Sequence, residues 1–574
     1  MATPAPTAEA AFSDEVKPYK IHVSSKYLEL TRQKLELTRL PHENSEPKSN
    51  AWWEPKPIVE PLLDFWWRYS WRDEESRLNA TVPQFRTSFL VPGTESAVRL
   101  HFIHARSPHA NAVPLVLIPP FPFTNLSLTH LIPLFTDPED AGSNQPFHLV
   151  MPSLPGLGFS DALPNNTPMI KASAEIFDSL MSRLGYKHYI ATNPGPSANS
   201  PSQVDWKLAN YLALNFQDSC LGFHFISPPL EAPTIRGSLL EWVKWRVVDI
   251  FKSPGLGYSR EDLSALRRAS GSKKDRLSHD PRPEEFAFDG NGFREPNTLS
   301  YALCDSPIGL LLFVLMILRV LGPDKELTPQ ELITFTELTW LPGPEATMRL
   351  WAHCASLPTQ EEKPSSRKPR IGITTFTGEG RNGKQGDPST LPRPAAHFYA
   401  CPSWGKARYS IVSTQRVVGK PGLLAWERPE VIVNGTRSVA KRILAEDKRM
   451  QTTETPGAVL LEQVVVGGDE QAPAETSGTT VREMVDSPSE GVDRPKLAAE
   501  QILRVPGKDP GSKRESTTAR PLLMKESPAG RMPEDPEQID DSSPDTVVAI
   551  GAKDTPDPIR EDAGGRLNRD YFGR

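Results

Sequence analysis

Cysteine is scarce in this chain: four in 574 residues (Cys220, Cys304, Cys354, Cys401), far apart and with no C-x-x-C pair. That spacing argues against a zinc site or a redox motif and predicts buried free thiols. Long apolar runs are lacking as well. The longest, "IGLLLFVLMIL" from Ile308 to Leu318, meets Arg319 after 11 residues, where a bilayer span takes about 20. It reads as a buried or interfacial helix, and no transmembrane anchor is expected. There is no basic excess either: the formal net charge is −6 and the pI is near 6.1. Nothing in that balance points to nucleic acid or an anionic membrane surface as a partner. The opening "MATPAPTAEAAFSDE" lacks a basic region followed by an apolar core, so no secretory leader is expected. Together these absences predict a soluble, cytoplasmic protein with no metal and no cofactor, peripheral membrane association being left open.

Proline, by contrast, is abundant: 59 residues, about twice the usual share and concentrated toward the C-terminus. From about 450 onward apolar periodicity disappears, and stretches such as "GDEQAPAETSGTT" and "EDPEQIDDSSPDT" cannot bury enough surface to offset their ordering entropy. Residues 450–574 therefore read as a disordered tail, with "AVLLEQVVV" (458–466) as its one apolar stretch. Residues 1–15 read as a disordered leader.

Between these ends the pattern is richer. In "VEPLLDFWWRYSWRDEESRLN" Val59, Leu62, Leu63 and Trp66 share one helical face, and Trp67 and Trp71 are spaced i, i+4. Such a stripe predicts a segment that wraps onto something larger. Then come strands near 98–104, 115–118, 148–151, 188–192 and 221–226, separated by a turn "PPFPFT" and by helices. In one of these helices Ile176, Leu180 and Leu184 align. Residues 230–365 read as helical without strands, after which strands near 369–376 and 407–412 and a closing helix "RSVAKRILAED" complete the pattern. This alternation predicts an α/β protein with a mostly parallel central sheet and helices on both faces.

Four motifs narrow the class: "WWRYSWRDEESRLN", "HLVMPSLPGLGFSD", "DSPIGLL" and "AWERPE". Together they make residues 17 to about 446 resemble the microsomal-type epoxide hydrolases. The resemblance implies an α/β-hydrolase fold with a helical cap and an N-terminal wrapping segment. It divides the chain into an epoxide-hydrolase-type segment (16–95), core (96–229), cap (230–365) and core again (366–449). The family's N-terminal membrane anchor is not expected here.

The chemistry that the resemblance implies runs through an aspartyl ester. An aspartate opens the epoxide, two cap tyrosines protonate the leaving oxygen, and a carboxylate-oriented histidine activates water. Two backbone N–H groups hold the oxyanion. Position by position, this sequence departs from that set. The G-G-D-W-G elbow becomes Asn193-Pro194-Gly195-Pro196-Ser197, which puts Gly195 at the nucleophile and Pro196, without an N–H, at one oxyanion donor. The H-G-W-P turn becomes Pro119-Pro120-Phe121-Pro122, leaving Phe121 as the other donor. Gly422 falls at the base histidine, and Trp351 and Phe288 fall at the tyrosines. Only Glu379 matches, at the carboxylate that orients the histidine.

Other residues imitate the missing groups. Asp205-Trp206 imitates the D-W of the elbow, but Gln203 and Lys207 stand where a sharp bend needs small residues, so Asp205 reads as a helix-start aspartate. Ser197 in "GPSAN" approximates G-x-S-x-G, with a capping turn residue as the plainer reading. His397 in "PAAHFYACP" precedes the last strand rather than following it. His101 and His104 read as satisfied core histidines. The expectation is an epoxide-hydrolase body without its ordinary catalytic set, inactive or strongly impaired. It is expected to retain at most an apolar small molecule between sheet and cap, or a protein partner. The alternative is an active epoxide or ester hydrolase using Asp205 or Ser197.

Overall fold

The computed structural model describes residues 14–42, 56–91, 97–276, 295–322, 325–357, 367–378 and 399–450. All of them fall in the first of two units, Met1–Ala472 and Pro473–Arg574. The leader, the tail with its 458–466 stretch, Phe288, Glu379 and His397 lie outside the described residues.

Nine strands form one sheet: β1 (Lys17–Pro18), β2 (Gln84–Leu90), β3 (Ala97–Ala105), β4 (Val113–Leu117), β5 (Phe147–Pro152), β6 (Tyr189–Thr192), β7 (Cys220–Ile226), β8 (Arg370–Phe376) and β9 (Ser410–Val417). Their spatial order is β1-β2-β3-β5-β4-β6-β7-β8-β9. The first three and the β3–β5 pair are antiparallel, and every pairing from β5 to β9 is parallel. Period-two alternation divides the side chains between two cores. On β4, Leu115 and Leu117 join one cluster and Val116 the other; on β6, Ile190 faces one way and Tyr189 and Ala191 the other.

The helices are α1 (Ser25–Glu36), α2 (Lys56–Arg68), α3 (Trp71–Thr81), α4 (Ile132–Thr136), α5 (Met169–Arg183), α6 (Val204–Asn215), α7 (Leu239–Phe251), α8 (Arg260–Arg276), α9 (Pro296–Asp305), α10 (Pro307–Leu321), α11 (Pro329–Trp340), α12 (Glu345–Ser356), α13 (Leu424–Glu427) and α14 (Pro429–Glu446). α5 and α6 cover one face of the sheet and α14 the other. Between β7 and β8 every described element is helical, α7 to α12. This is the α/β-hydrolase fold with a helical cap, and "HYIAT" supplies a central strand, as its sequence predicts.

Three local expectations need correction. β2 goes unannounced by its sequence because it is a half-exposed strand with only Gln84, Thr87 and Phe89 buried. The last strand begins at Ser410, since Pro402–Ala407 winds into a 3-10 turn. Trp67 and Trp71 are not a helical pair: Ser70 caps a new helix, its Oγ accepting from Asp73 N. Trp67 therefore stays exposed and Trp71 is buried. The stripe of Val59, Leu62 and Trp66 does bury, against α10 and α11, where Trp66 Nε1 donates to Glu337 Oε1 at 2.6 Å.

The run Ile308–Leu318 lies inside α10 and is mostly buried; among the described residues no single helix is long and apolar enough to cross a membrane. Cys220, Cys354 and Cys401 are buried free thiols, but Cys304 is exposed. No cluster among the described residues is suited to hold a metal.

Candidate functional site at the ends of β4 and β6

Strand order reverses at β4, whose neighbours are β5 on one side and β6 on the other. In open parallel sheets a crevice forms beyond the carboxyl ends of the strands at such a switch point. Here two loops meet there: Pro119–Phe123 after β4, and residues 193–203 after β6.

The second loop is longer than a nucleophile elbow, which passes from strand to helix through one sharp bend. Its N–H groups are spent on tying it down. Gly195 N donates to Asn193 Oδ1 (2.8 Å), Ser197 N to Ile226 O (2.9 Å) and Ala198 N to Ser227 O (3.0 Å). Its positive φ angles fall on Ser202 (45°) and Gln203 (54°), just before α6. Asp205 itself is in the first turn of that helix.

That helix start is also the centre of the site. Asp205 is 3% exposed, and its Oδ1 accepts the Phe121 N–H at 2.8 Å. Its own N–H donates to Ser200 Oγ at 3.2 Å. Burial pushes the carboxyl up to about 7, against the opposing pull of Phe121 N–H, Ser200 and Asn193. The Phe121 donor, expected from sequence to survive as half of an oxyanion hole, is thus occupied by a carboxylate of the same chain.

The two glycines are hemmed in. A Cβ on Gly195 would stand 2.6 Å from Pro120 Cβ and 3.2 Å from both Asp205 Oδ2 and Asn193 Oδ1. A Cβ on Gly422 (φ 57°) would run into the Glu427 carboxylate, which Leu423 N (3.0 Å) and Lys325 N (2.6 Å) hold in place. Trp351 on α12 is fully buried and meets the Phe121 ring edge to face, centroids 6.0 Å apart.

The structure therefore brings Gly195, Asp205, Phe121 and Gly422 to one cavity, which Pro120, Ser200 and Trp426 also line. Its volume is about 20 Å³, room for a single water and far below the roughly 300 Å³ of a small-molecule site. The volume freed by the two glycines has been taken up by Pro120 and Glu427, so the space expected to hold an apolar small molecule is nearly closed. Ser197 does not line this cavity. Its hydroxyl is buried with no hydrogen-bond partner, so no described histidine is bonded to it. His101 bonds Gln84, His104 bonds Tyr186 and His224 bonds Thr374, so these are satisfied core residues. Sequence reasoning missed Pro120 and Glu427 as the residues that close the space. Glu427 stands in the sequence as part of the "AWERPE" motif, which carries the resemblance and says nothing of where its carboxylate lies.

The family profile described as "Epoxide hydrolase N terminus" matches residues 16–128. A Stigmatella aurantiaca protein that bears an epoxide hydrolase's name is 28% identical over 344 residues, covering 57% of this chain and 66% of that one. Juvenile hormone epoxide hydrolase 1 of Ctenocephalides felis is 27% identical over 315 residues, covering 52% and 59%. Epoxide hydrolase 1 of Sus scrofa is 22% identical over 450 residues, covering 75% and 89%. This chain is similar to epoxide hydrolases, in its N-terminal segment and beyond it. Its matches span just under two thirds of the first of these relatives and less of the second. Among solved structures, the juvenile hormone epoxide hydrolase of the silkworm Bombyx mori superposes with a TM-score of 0.56 at 20% identity, over 77% of this chain and 97% of that one. The Aspergillus niger epoxide hydrolase gives 0.53 at 20% identity, over 76% and 98%. At that identity the likeness speaks for the fold.

The motifs that carry the family are architectural in this chain. Glu75 accepts the Val23 N–H and the Trp71 indole, and Asn79 brackets Ile21 with two 2.8 Å bonds, so "WRDEESRLN" clamps the N-terminal segment. Asp161 of "PGLGFSD" pairs with Arg86 and Arg99. Ser306 of "DSPIGLL" caps α10, its Oγ accepting from Gly309 N.

Proposed function

We propose that this chain keeps the body of an epoxide hydrolase without its turnover. One observation carries the reading: among the described side chains that line the cavity at the ends of β4 and β6, Asp205 is the only ionisable one. Hydrolysis through an aspartyl ester needs a second ionisable group, a base that activates water. Gly422 occupies the position at which the family resemblance puts that base. Gly195 has no side chain to attack with, Trp351 is a far weaker acid than a phenol, and Pro196 has no N–H to give. Each such loss is worth roughly a hundredfold or more, and the losses are not additive because these groups act as a unit. The narrow cavity favours a non-catalytic role in partner binding over storage of an apolar ligand.

A second reading rests on a specific distance. Asp205 accepts the Phe121 N–H, and its Oδ2 lies 3.2 Å from where a Cβ on residue 195 would be. Among the described residues it is the best-placed substitute nucleophile, reached from a different α-carbon. Without a base, an ester formed there would persist.

Incubating the full chain with styrene oxide and following both diol and intact protein mass separates the cases. Neither diol nor adduct is expected. Diol production that disappears in Asp205→Ala or Ser197→Ala would overturn the proposal. An adduct without diol, absent in Asp205→Asn, would establish the second reading.

A further inference from the structure

The end of the sheet away from the cavity carries a positive edge that its own ion pairs do not neutralise. β6, β7, β8 and β9 are parallel neighbours, so their first residues line up on one side of the molecule. The segments leading into these strands are laced together there. Tyr189 N donates to Ser219 O (2.9 Å), Ser410 N to Pro369 O (2.9 Å) and Lys368 Nζ to Lys406 O (2.6 Å). α14 ends against the same edge, where Asp447 pairs with Arg370 and Arg449 at 2.7 and 2.8 Å. Asp218 pairs with Arg367 at 3.5 Å, and Asp178 accepts from the Tyr189 and Ser219 hydroxyls. Beyond those partners the edge sets Glu446 against Lys187, Lys368, Lys406, Arg408, Lys441 and Arg442. None of these six bases has an acidic partner among the described residues, and Lys187, Lys368, Lys441 and Arg442 are exposed.

The chain itself supplies a partner of opposite charge. It leaves the described structure at Met450, whose N–H donates to Asp447 O on this edge at 3.3 Å. The residues that follow, 451–472, contain Glu454, Glu462, Asp469 and Glu470 and no lysine, arginine or histidine. Strands lie about 4.8 Å apart, so the edge from β6 to β9 is about 14 Å long. Extended chain covers about 3.4 Å per residue, so Glu454 reaches that far and the later acids can lie anywhere along the edge. A single exposed ion pair is weak. A tethered segment, however, meets its site at about millimolar effective concentration, where several weak pairs suffice. The same segment of a second copy would have to compete with that local concentration. We propose that residues 451–472 dock along the amino-terminal ends of β6 to β9, their four carboxylates facing the bases of the edge. This contact lies at the end of the sheet opposite Asp205 and is independent of what the cavity does.

Zero-length carbodiimide coupling of the full chain, read by peptide mass mapping, joins carboxylates only to amines that they touch. Links are expected from the four acids of 451–472 to Lys187, Lys368, Lys406 or Lys441. They should become about tenfold fewer at about 0.5 M salt, where screening acts over only a few ångströms. Lys171, exposed at the start of α5 and so toward the opposite end of the sheet, should stay unlinked. Lys441→Glu/Arg442→Glu should lower the hydrogen-exchange protection of amides in 451–472 about threefold. Circular dichroism should be unchanged, because both sites are exposed. Adding Glu454→Lys/Glu462→Lys to that variant should restore the protection. Absence of the links, links to Lys171 at the same level, or charge reversal without this rescue would overturn the proposal. So would links between chains in an equal mixture of isotope-labelled and unlabelled protein, which would make the partner a second copy.

Discussion

Asp205 joins two properties that are rarely neighbours: it begins a helix, and it is buried against a backbone donor that the fold normally reserves for reaction chemistry. Because burial lifts its carboxyl to about 7, while an unfolded aspartate titrates near about 3.9, the native state holds a proton between those values that the unfolded chain has released. Stability should therefore fall as pH rises through that window, by roughly 4 kcal/mol at the upper bound. Glu337, raised to about 7 by its own burial, adds a slope of the same sign. Asp205→Asn keeps an acceptor for Phe121 N–H and should remove the Asp205 share, flattening urea midpoints measured from pH 4 to pH 8; an unchanged slope would count against this assignment. The glycines make an opposite prediction. Because Pro120 and Glu427 stand where their side chains would go, Gly195→Asp with Gly422→His should weaken the fold rather than revive turnover. Overpacking of this kind costs about 1–3 kcal/mol per site, and the positive φ of Gly422 adds to it. Denaturant titration of the pair, alongside a diol assay, tests both halves.

At the scale of elements, the N-terminal helices act as a strap. α2 lays Val59, Leu62 and Trp66 on α10 and α11, while α3 holds residues 21–23 through Glu75 and Asn79. The bond from Trp66 to Glu337 ties strap to cap, and Glu337 is nearly fully buried. Trp66→Phe leaves that carboxyl without its indole donor. Such a loss should lower stability by about 1–3 kcal/mol, read from thermal melts. The effect should shrink in a Trp66→Phe/Glu337→Leu double variant, in which neither polar partner remains. The period-3.6 stripe was legible in the sequence because burial of a helix face leaves a regular mark. The break at Ser70 was not, since capping depends on where the chain turns to follow its neighbours.

For the whole molecule, the sheet, its helices and the cap could be read from alternating patterns and from motifs whose work is structural: Asp161 pairing with Arg86 and Arg99, Glu75 and Asn79 clamping residues 21–23. Those motifs persist whether or not the protein catalyses anything, so they disclose the family and not the activity. The sequence by itself determined the strand–helix alternation, the central place of "HYIAT", and the absence of side chains at Gly195 and Gly422. Only the tertiary structure decided what fills the space they leave. Pro120 and Glu427 close it, and Asp205 swings from the start of α6 onto the Phe121 N–H, 84 positions away in sequence. Pattern follows from local periodicity, which each segment carries within itself. Occupancy of a cavity depends on contacts between loops distant in the chain, and no local pattern encodes which of them arrives first in the gap.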